Sequence, residues 1–195
     1  MSILVLTSDT LIGTPATGNL EYNGQFFGTD SNASRAQMQR ITQGTAVAST
    51  SGTSIDFTGL PAWVKKITVM FAGVSTNGTS PIQIQIGTSG GIQATSYTSG
   101  AWIANTSNTN STTGLLITAG GGAAYLWDGM AYLTLVNSST GIWSFNSIFS
   151  GNTAGINSIG GGAKTLSGTL DRVRVTTVNG TDTFDAGSIN ILYEG

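Results

Sequence analysis

Gly160-Gly161-Gly162-Ala163-Lys164-Thr165 is the stretch that comes closest to a phosphate-binding loop. That loop needs Gly, Lys and Thr adjacent, so that backbone amides and the ammonium converge on the same phosphates, and a helix must follow. Here Ala163 separates glycine from lysine, and residues 166–170 read as strand. A flexible β-connection is the expected reading, with no nucleotide bound. Asp171, Asp182 and Asp185 flank the Asn179-Gly180 pair. Paired carboxylates can serve glycoside hydrolysis or hold calcium. Their spacing does not match the calcium-loop pattern, and aspartates beside a turn commonly accept backbone N–H groups instead. The chain has no histidine and no cysteine. That excludes a Ser-His-Asp triad, a thiolate nucleophile, a disulfide, and zinc held by its usual ligands. No enzyme activity and no cofactor are expected.

Binding chemistry is better represented. Of the four Trp, Trp63 and Trp143 fall in clear strand patterns and are expected in the core. Trp102 and Trp127 lie in or beside polar stretches, Ser99-Gly100-Ala101 and Asp128-Gly129. An indole among amides and hydroxyls can stack on a sugar ring while its neighbours bond the sugar hydroxyls. Tyr97, Trp102, Trp127 and Asp128 are therefore the candidate contact residues for a glycan. Trp102, with Ser99, Gly100, Asn105 and Ser107 around it, is the expected anchor.

The elements that position these residues read as all-β. The 195 residues carry a net charge of −2, with 8% charged and 39% hydrophobic residues. That suits one sizeable core under a polar, uncharged surface. Seven Lys and Arg give no basic footprint for nucleic acid or an anionic membrane. No apolar run approaches a membrane span, and Ile3-Leu4-Val5-Leu6 is too short for a signal-peptide core. Membrane insertion is not expected; synthesis and folding in a cytoplasm are.

Period-two alternation starts near Thr53. Ile67, Val69 and Phe71 share a face; so do Ile82, Ile84 and Ile86, set against Gln83 and Gln85. Leu133 and Leu135, then Trp143, Phe145 and Phe149, then Ile189, Ile191 and Tyr193 repeat the pattern. Alternation of this kind needs one buried and one wet face, and seven or eight such strands imply a jelly-roll-like β-sandwich. Asn179-Gly180 predicts a hairpin between the last two strands, and Gly187 a bulge in the final one. Residues 90–113 read as a long polar loop. Ahead of the sandwich, Asn23-Gly24 predicts a short hairpin, residues 34–41 a short helix, and residues 43–52 a linker. The expected division is 1–52, a short and mostly extended segment, and 53–195, the sandwich.

The segment Thr53-Ser54-Ile55-Asp56-Phe57-Thr58-Gly59-Leu60-Pro61-Ala62-Trp63-Val64-Lys65-Lys66-Ile67-Thr68-Val69-Met70-Phe71, with Val74-Ser75-Thr76-Asn77-Gly78, resembles the C-terminal β-sandwich module of tailed-bacteriophage virion proteins. The closing Leu170-Asp171-Arg172-Val173-Arg174, Asn179-Gly180-Thr181-Asp182 and Phe184-Asp185-Ala186-Gly187-Ser188-Ile189-Asn190-Ile191-Leu192-Tyr193-Glu194 resembles the end of the same module. The stretch Gly18-Asn19-Leu20-Glu21-Tyr22-Asn23-Gly24-Gln25-Phe26-Phe27 is similar to one that precedes it in tail fibres. The resemblance implies a homotrimeric structural protein of the virion, made in the bacterial host's cytoplasm. Residues 1–52 would dock to other virion proteins, and the sandwich would meet a host-surface glycan. No long shaft precedes the sandwich, so the expected part is a short tail fibre or tip subunit. The alternatives are a capsid decoration (cement) protein and, more remotely, a polysaccharide-processing tail enzyme.

Overall fold

A computed structural model describes residues 10–11, 13–14, 16–23, 25–104, 107–152 and 156–195. The Ile3-Leu4-Val5-Leu6 run and Asn105 lie outside them. The chain divides into two compact units, Met1–Arg40 and Ile41–Gly195. In the first, β1 (Leu20–Tyr22), β2 (Phe26–Thr29) and β3 (Arg35–Gln37) make a three-stranded antiparallel sheet. β1 and β2 pair as the expected hairpin requires, with Tyr22 opposite Phe26, while Gly24 of the expected turn lies outside the described residues. The short helix expected over residues 34–41 does not form. Asp30 Oδ1 accepts N–H groups from Asn32 and Ser34, each at 2.9 Å, which turns the chain into β3. The Arg35 guanidinium then meets Glu21 on β1 at 2.7 Å.

The second unit opens with β4 (Ile41–Gln43), β5 (Val47–Ala48), β6 (Ser54–Thr58), β7 (Lys66–Thr76) and β8 (Ile82–Thr88). It continues through β9 (Gly91–Ile92), β10 (Tyr97–Ile103), β11 (Ser107–Ser111), β12 (Leu115–Leu116) and β13 (Trp127–Asn137). It closes with β14 (Ile142–Gly151), β15 (Asn157–Thr165), β16 (Arg172–Thr177) and β17 (Phe184–Glu194). A nine-stranded sheet runs β11-β10-β15-β14-β13-β7-β17-β4, with β5 also on β17. A five-stranded sheet runs β12-β8-β16-β6, with β9 on β8. The fold is an antiparallel β-sandwich.

One core lies between the two sheets. Ile67, Val69, Phe71, Leu133, Phe145, Phe149 and Ile189 from the large sheet meet Ile84, Ile86, Val173 and Val175 from the small one. Phe71 and Phe149 touch edge to face at 4.9 Å between ring centroids. The alternating face read from the sequence is the buried face in each of these strands. Gly187 does break the register of β17 against β7, at φ +87°.

Several expectations give way to the structure. Part of the linker read at residues 43–52 is paired: β4 and β5 lie along β17, so the head begins ahead of Thr53. Gln83 and Gln85 are buried, not wet. The chain at Ser111–Thr113 crosses over them, and Gln85 Nε2 donates to the Thr113 carbonyl at 2.9 Å. The hairpin expected at Asn179-Gly180 is a corner between sheets, because β16 belongs to the small sheet and β17 to the large one. Asn77-Gly78 makes the matching corner from β7 to β8. Asp182 laces the two corners, accepting from Asn179 Nδ2 at 2.6 Å and from the Ser80 N–H at 3.0 Å.

Candidate functional site

Residues 90–113, expected as a loop, contain β9, β10 and β11. Within β10, Tyr97, Ser99, Ala101 and Ile103 point inward, and Thr98 and Trp102 outward. Gly160-Gly161-Gly162 is likewise no loop. It is the middle of β15, paired with β10 on one side and β14 on the other. Two of these glycines are needed for close approach. A Cβ on Gly160 would sit 2.2 Å from the Leu116 carbonyl oxygen, and one on Gly162 would sit 2.4 Å from that of Thr98. Residues 166–170 form no strand.

The four residues expected to touch a glycan are not brought together. Tyr97 is 3% exposed and faces the core. Its hydroxyl accepts the Ile86 N–H at 2.8 Å and donates to the Ile86 carbonyl at 3.2 Å. Burial pushes that hydroxyl up to about 12, with the Ile86 hydrogen bond pulling the other way. The Lys164 ammonium lies 5.0 Å from the Tyr97 ring centre and donates to the Thr95 carbonyl at 2.8 Å. Burial lowers the Lys164 pKa. Trp127 is also buried, edge to face with Tyr125 at 6.0 Å. Asp128 is exposed, but its Oδ1 accepts the Gly73 N–H at 2.7 Å across the bulge between Trp127 and Gly129. Burial withdraws Tyr97 and Trp127 from any external contact. Trp102 alone of the four presents a large free surface, 50% exposed. The three aspartates 171, 182 and 185 do not converge either. Asp171 pairs with Arg172 at 2.8 Å, Asp182 serves the corners, and Asp185 accepts the Ser75 hydroxyl.

Register supplies what single strands could not show. Trp102 stands opposite Ile159, Ile159 opposite Ile148, Ile148 opposite Met130, and Met130 opposite Met70. All five are on the outer face of the large sheet, on five consecutive strands, β10, β15, β14, β13 and β7. Ile148 is 64% exposed, Ile159 51% and Met130 46%. Directly opposed side chains on one face are within contact distance, so the five make one continuous apolar stripe. Beside it on one side lies a row of Gly100, Gly161, Asn146, Tyr132 and Thr68, and beyond that a row of Thr98, Ala163, Ser144, Thr134 and Lys66; its other side is flanked by Asn157, Ser150 and Asp128. Among the described residues, charge on the outward positions of these strands and β17 is confined to Asp128, Asp185 and the Lys66–Glu194 pair at 2.9 Å.

A cleft of about 380 Å³ opens at the loops after β6, β13 and β15. Leu135, Trp143 and Leu166 line it with Ser138, Ser139, Thr140 and Thr169, and no titratable side chain does. It offers apolar contact and hydroxyls, not acid–base chemistry. Searches of family models, of curated proteins and of solved structures return no match for this chain.

Proposed function

We propose that this protein is a non-enzymatic structural component of a tailed-bacteriophage particle, a homotrimeric short tail fibre or tip subunit whose sandwich is the displayed head. The N-terminal segment docks to other virion proteins, and the head works by contact. The observation that carries this reading is the outer face of the large sheet: a hydrogen-bonded surface bearing a continuous apolar stripe and few charges, the Lys66–Glu194 pair and the carboxylates of Asp128 and Asp185. Contiguous exposed apolar area on that scale marks a surface built to touch another. The resemblance of residues 53–78 and 170–194 to the phage module supports this kind of particle.

Antibody against the purified chain, applied to purified particles under the electron microscope, tests it. Label confined to the tail tip, with tens of copies or fewer per particle by densitometry, supports the reading. Label over the capsid at hundreds of copies reassigns the protein to decoration. No label on particles overturns both.

A further inference from the structure

The stripe has a composition that identifies its occupant. We propose that a second copy of this chain packs on it, stripe against stripe about a two-fold axis centred on Ile148, a contact that a three-fold ring does not contain and that therefore joins copies from two different trimers. The proposal rests on the reading that this face is a contact surface, and it names the partner.

Three observations carry it. The first is chemistry. Ile159, Ile148, Met130 and Met70 are aliphatic or thioether side chains, and only Trp102, at one end, is aromatic. Sugar recognition wants aromatic faces ringed by hydrogen-bonding groups. A row of aliphatic and Met side chains instead interdigitates with another protein surface, as the inner faces of packed sheets do. The second is electrostatics. Two copies of one face carry the same charges, so a charged face repels itself. Here Lys66 and Glu194 cancel each other at 2.9 Å, which leaves the Asp128 carboxylate, bonded to the Gly73 N–H, and the Asp185 carboxylate, bonded to the Ser75 hydroxyl, as the net charge of the face. Mating this face with its own copy therefore meets repulsion only from these two carboxylates per copy, both off the stripe itself, and the face carries no basic or acidic patch that would select an oppositely charged partner. The third is size. The exposed parts of Trp102, Ile159, Ile148 and Met130 amount to apolar area on the order of 400 Å². Seven strands from β11 to β17 at ~4.8 Å spacing, and three rows at ~7 Å, span roughly 30 by 20 Å. With side-chain relief that approaches the ~800 Å² per partner of a standard interface.

Ile148 is the middle residue of the five, so a symmetric contact through the stripe brings the two Ile148 side chains close. It points outward and is 64% exposed, which leaves the core untouched when it is changed. The test uses the full chain, with Ile148→Lys and Ile148→Glu made separately and folding checked by circular dichroism. Light scattering across a concentration series should show wild type as an even number of chains of 19.9 kDa each at micromolar concentration, six where trimers pair, and a species that stops at three chains overturns the two-fold contact. Each charged variant alone should shift the association midpoint upward by at least about 100-fold. Mixing the two variants should restore association to within about tenfold of wild type, because opposite charges then face each other. If either variant fails to fold, the same pair at Ile159 replaces it. Three further results overturn the proposal: a monomeric wild type at about 100 µM, variants that associate like wild type, or variants that dissociate and are not rescued by mixing. The particle-labelling result is independent, so a monomer that still labels tail tips defeats this inference and leaves the functional reading standing.

Discussion

Replacing Tyr97 with Phe removes one oxygen from the seam between the sheets. That oxygen, on β10 of the large sheet, accepts the Ile86 N–H of β8 in the small sheet at 2.8 Å and donates to the Ile86 carbonyl at 3.2 Å. Ile86 is fully buried, so water does not take the vacated place. The carbonyl keeps the Gln93 N–H at 3.1 Å, while the Ile86 N–H is left facing a phenyl ring. An unmet buried donor costs about 1–3 kcal/mol. For a chain of this size that lowers the melting temperature by roughly 2–10 °C. A second signature lies in pH. The folded hydroxyl titrates at about 12, above its unfolded value near ~10. Below the unfolded value the hydroxyl is neutral in both states and its contribution is fully present. As pH rises from there to 12, the unfolded chain releases the proton and the folded chain keeps it, so stability falls by up to about 3 kcal/mol. Lys164, its pKa lowered by burial, acts in the opposite sense: its cost to stability is relieved as pH rises toward the unfolded lysine value. Comparing wild type with Tyr97→Phe cancels the Lys164 part. Thermal melts from pH 7 to 11.5 should therefore show a lower melting temperature for the variant at neutral pH and a shallower alkaline decline. Equal melting temperatures at pH 7 together with equal alkaline slopes would refute the seam.

Within one glycine triplet, opposite outcomes are expected. Gly160→Ala and Gly162→Ala drive a methyl into a carbonyl oxygen at 2.2 and 2.4 Å, whereas a Cβ on Gly161 meets nothing within 4 Å. Thermal melts should show the first two destabilised by about 1–3 kcal/mol or more and Gly161→Ala unchanged or slightly stabilised. Truncation should separate two starting points. A chain of residues 41–195 should fold with an unchanged sandwich transition, while one of residues 53–195 loses β4 and β5 from the 11-residue β17 and should aggregate on heating, as scattering would report. Trp102→Ala should keep the wild-type circular dichroism spectrum while lowering the melting temperature modestly, by the equivalent of about 1 kcal/mol at protein concentrations below association, because half of the side chain is exposed and the rest packs on Ile159; loss of the folded spectrum would place it inside the fold.

The strands that could be read from the residues are those whose inner face is built from large apolar side chains. Trp143, Phe145 and Phe149 declare β14, and Ile67, Val69 and Phe71 declare β7, because burial of such groups forces a period of two. The strands that could not be read are built from small polar residues. Over Tyr97–Ile103 the inward positions include Ser99 and Ala101, and β15 carries three glycines in a row. There the strand is defined by its hydrogen-bonded neighbours, and composition mimics a loop. The same cause misplaced Tyr97: read in a polar loop it looks free, read in a strand it faces the core. Asn179-Gly180 was legible as a turn but not as a corner between sheets, because a turn signal carries no information on which sheet its second strand joins. The stripe was out of reach for a related reason. Each of Trp102, Met130, Ile148 and Ile159 reads alone as an ordinary exposed apolar residue. Only the register across five strands, set by long-range pairing, lines them up.

The claim that this face meets its own copy is tested most directly by cross-linking at its centre. The chain has no cysteine, so Ile148→Cys carries a single thiol. Face-to-face sheets lie ~10 Å apart, beyond disulfide reach, so a bis-maleimide of matching span is the reagent. At micromolar protein, Ile148→Cys should be converted mostly to a covalent dimer, while Ser167→Cys, on an exposed loop away from the stripe, should remain monomeric on the same denaturing gel. Equal, low cross-linking of the two variants would contradict the account.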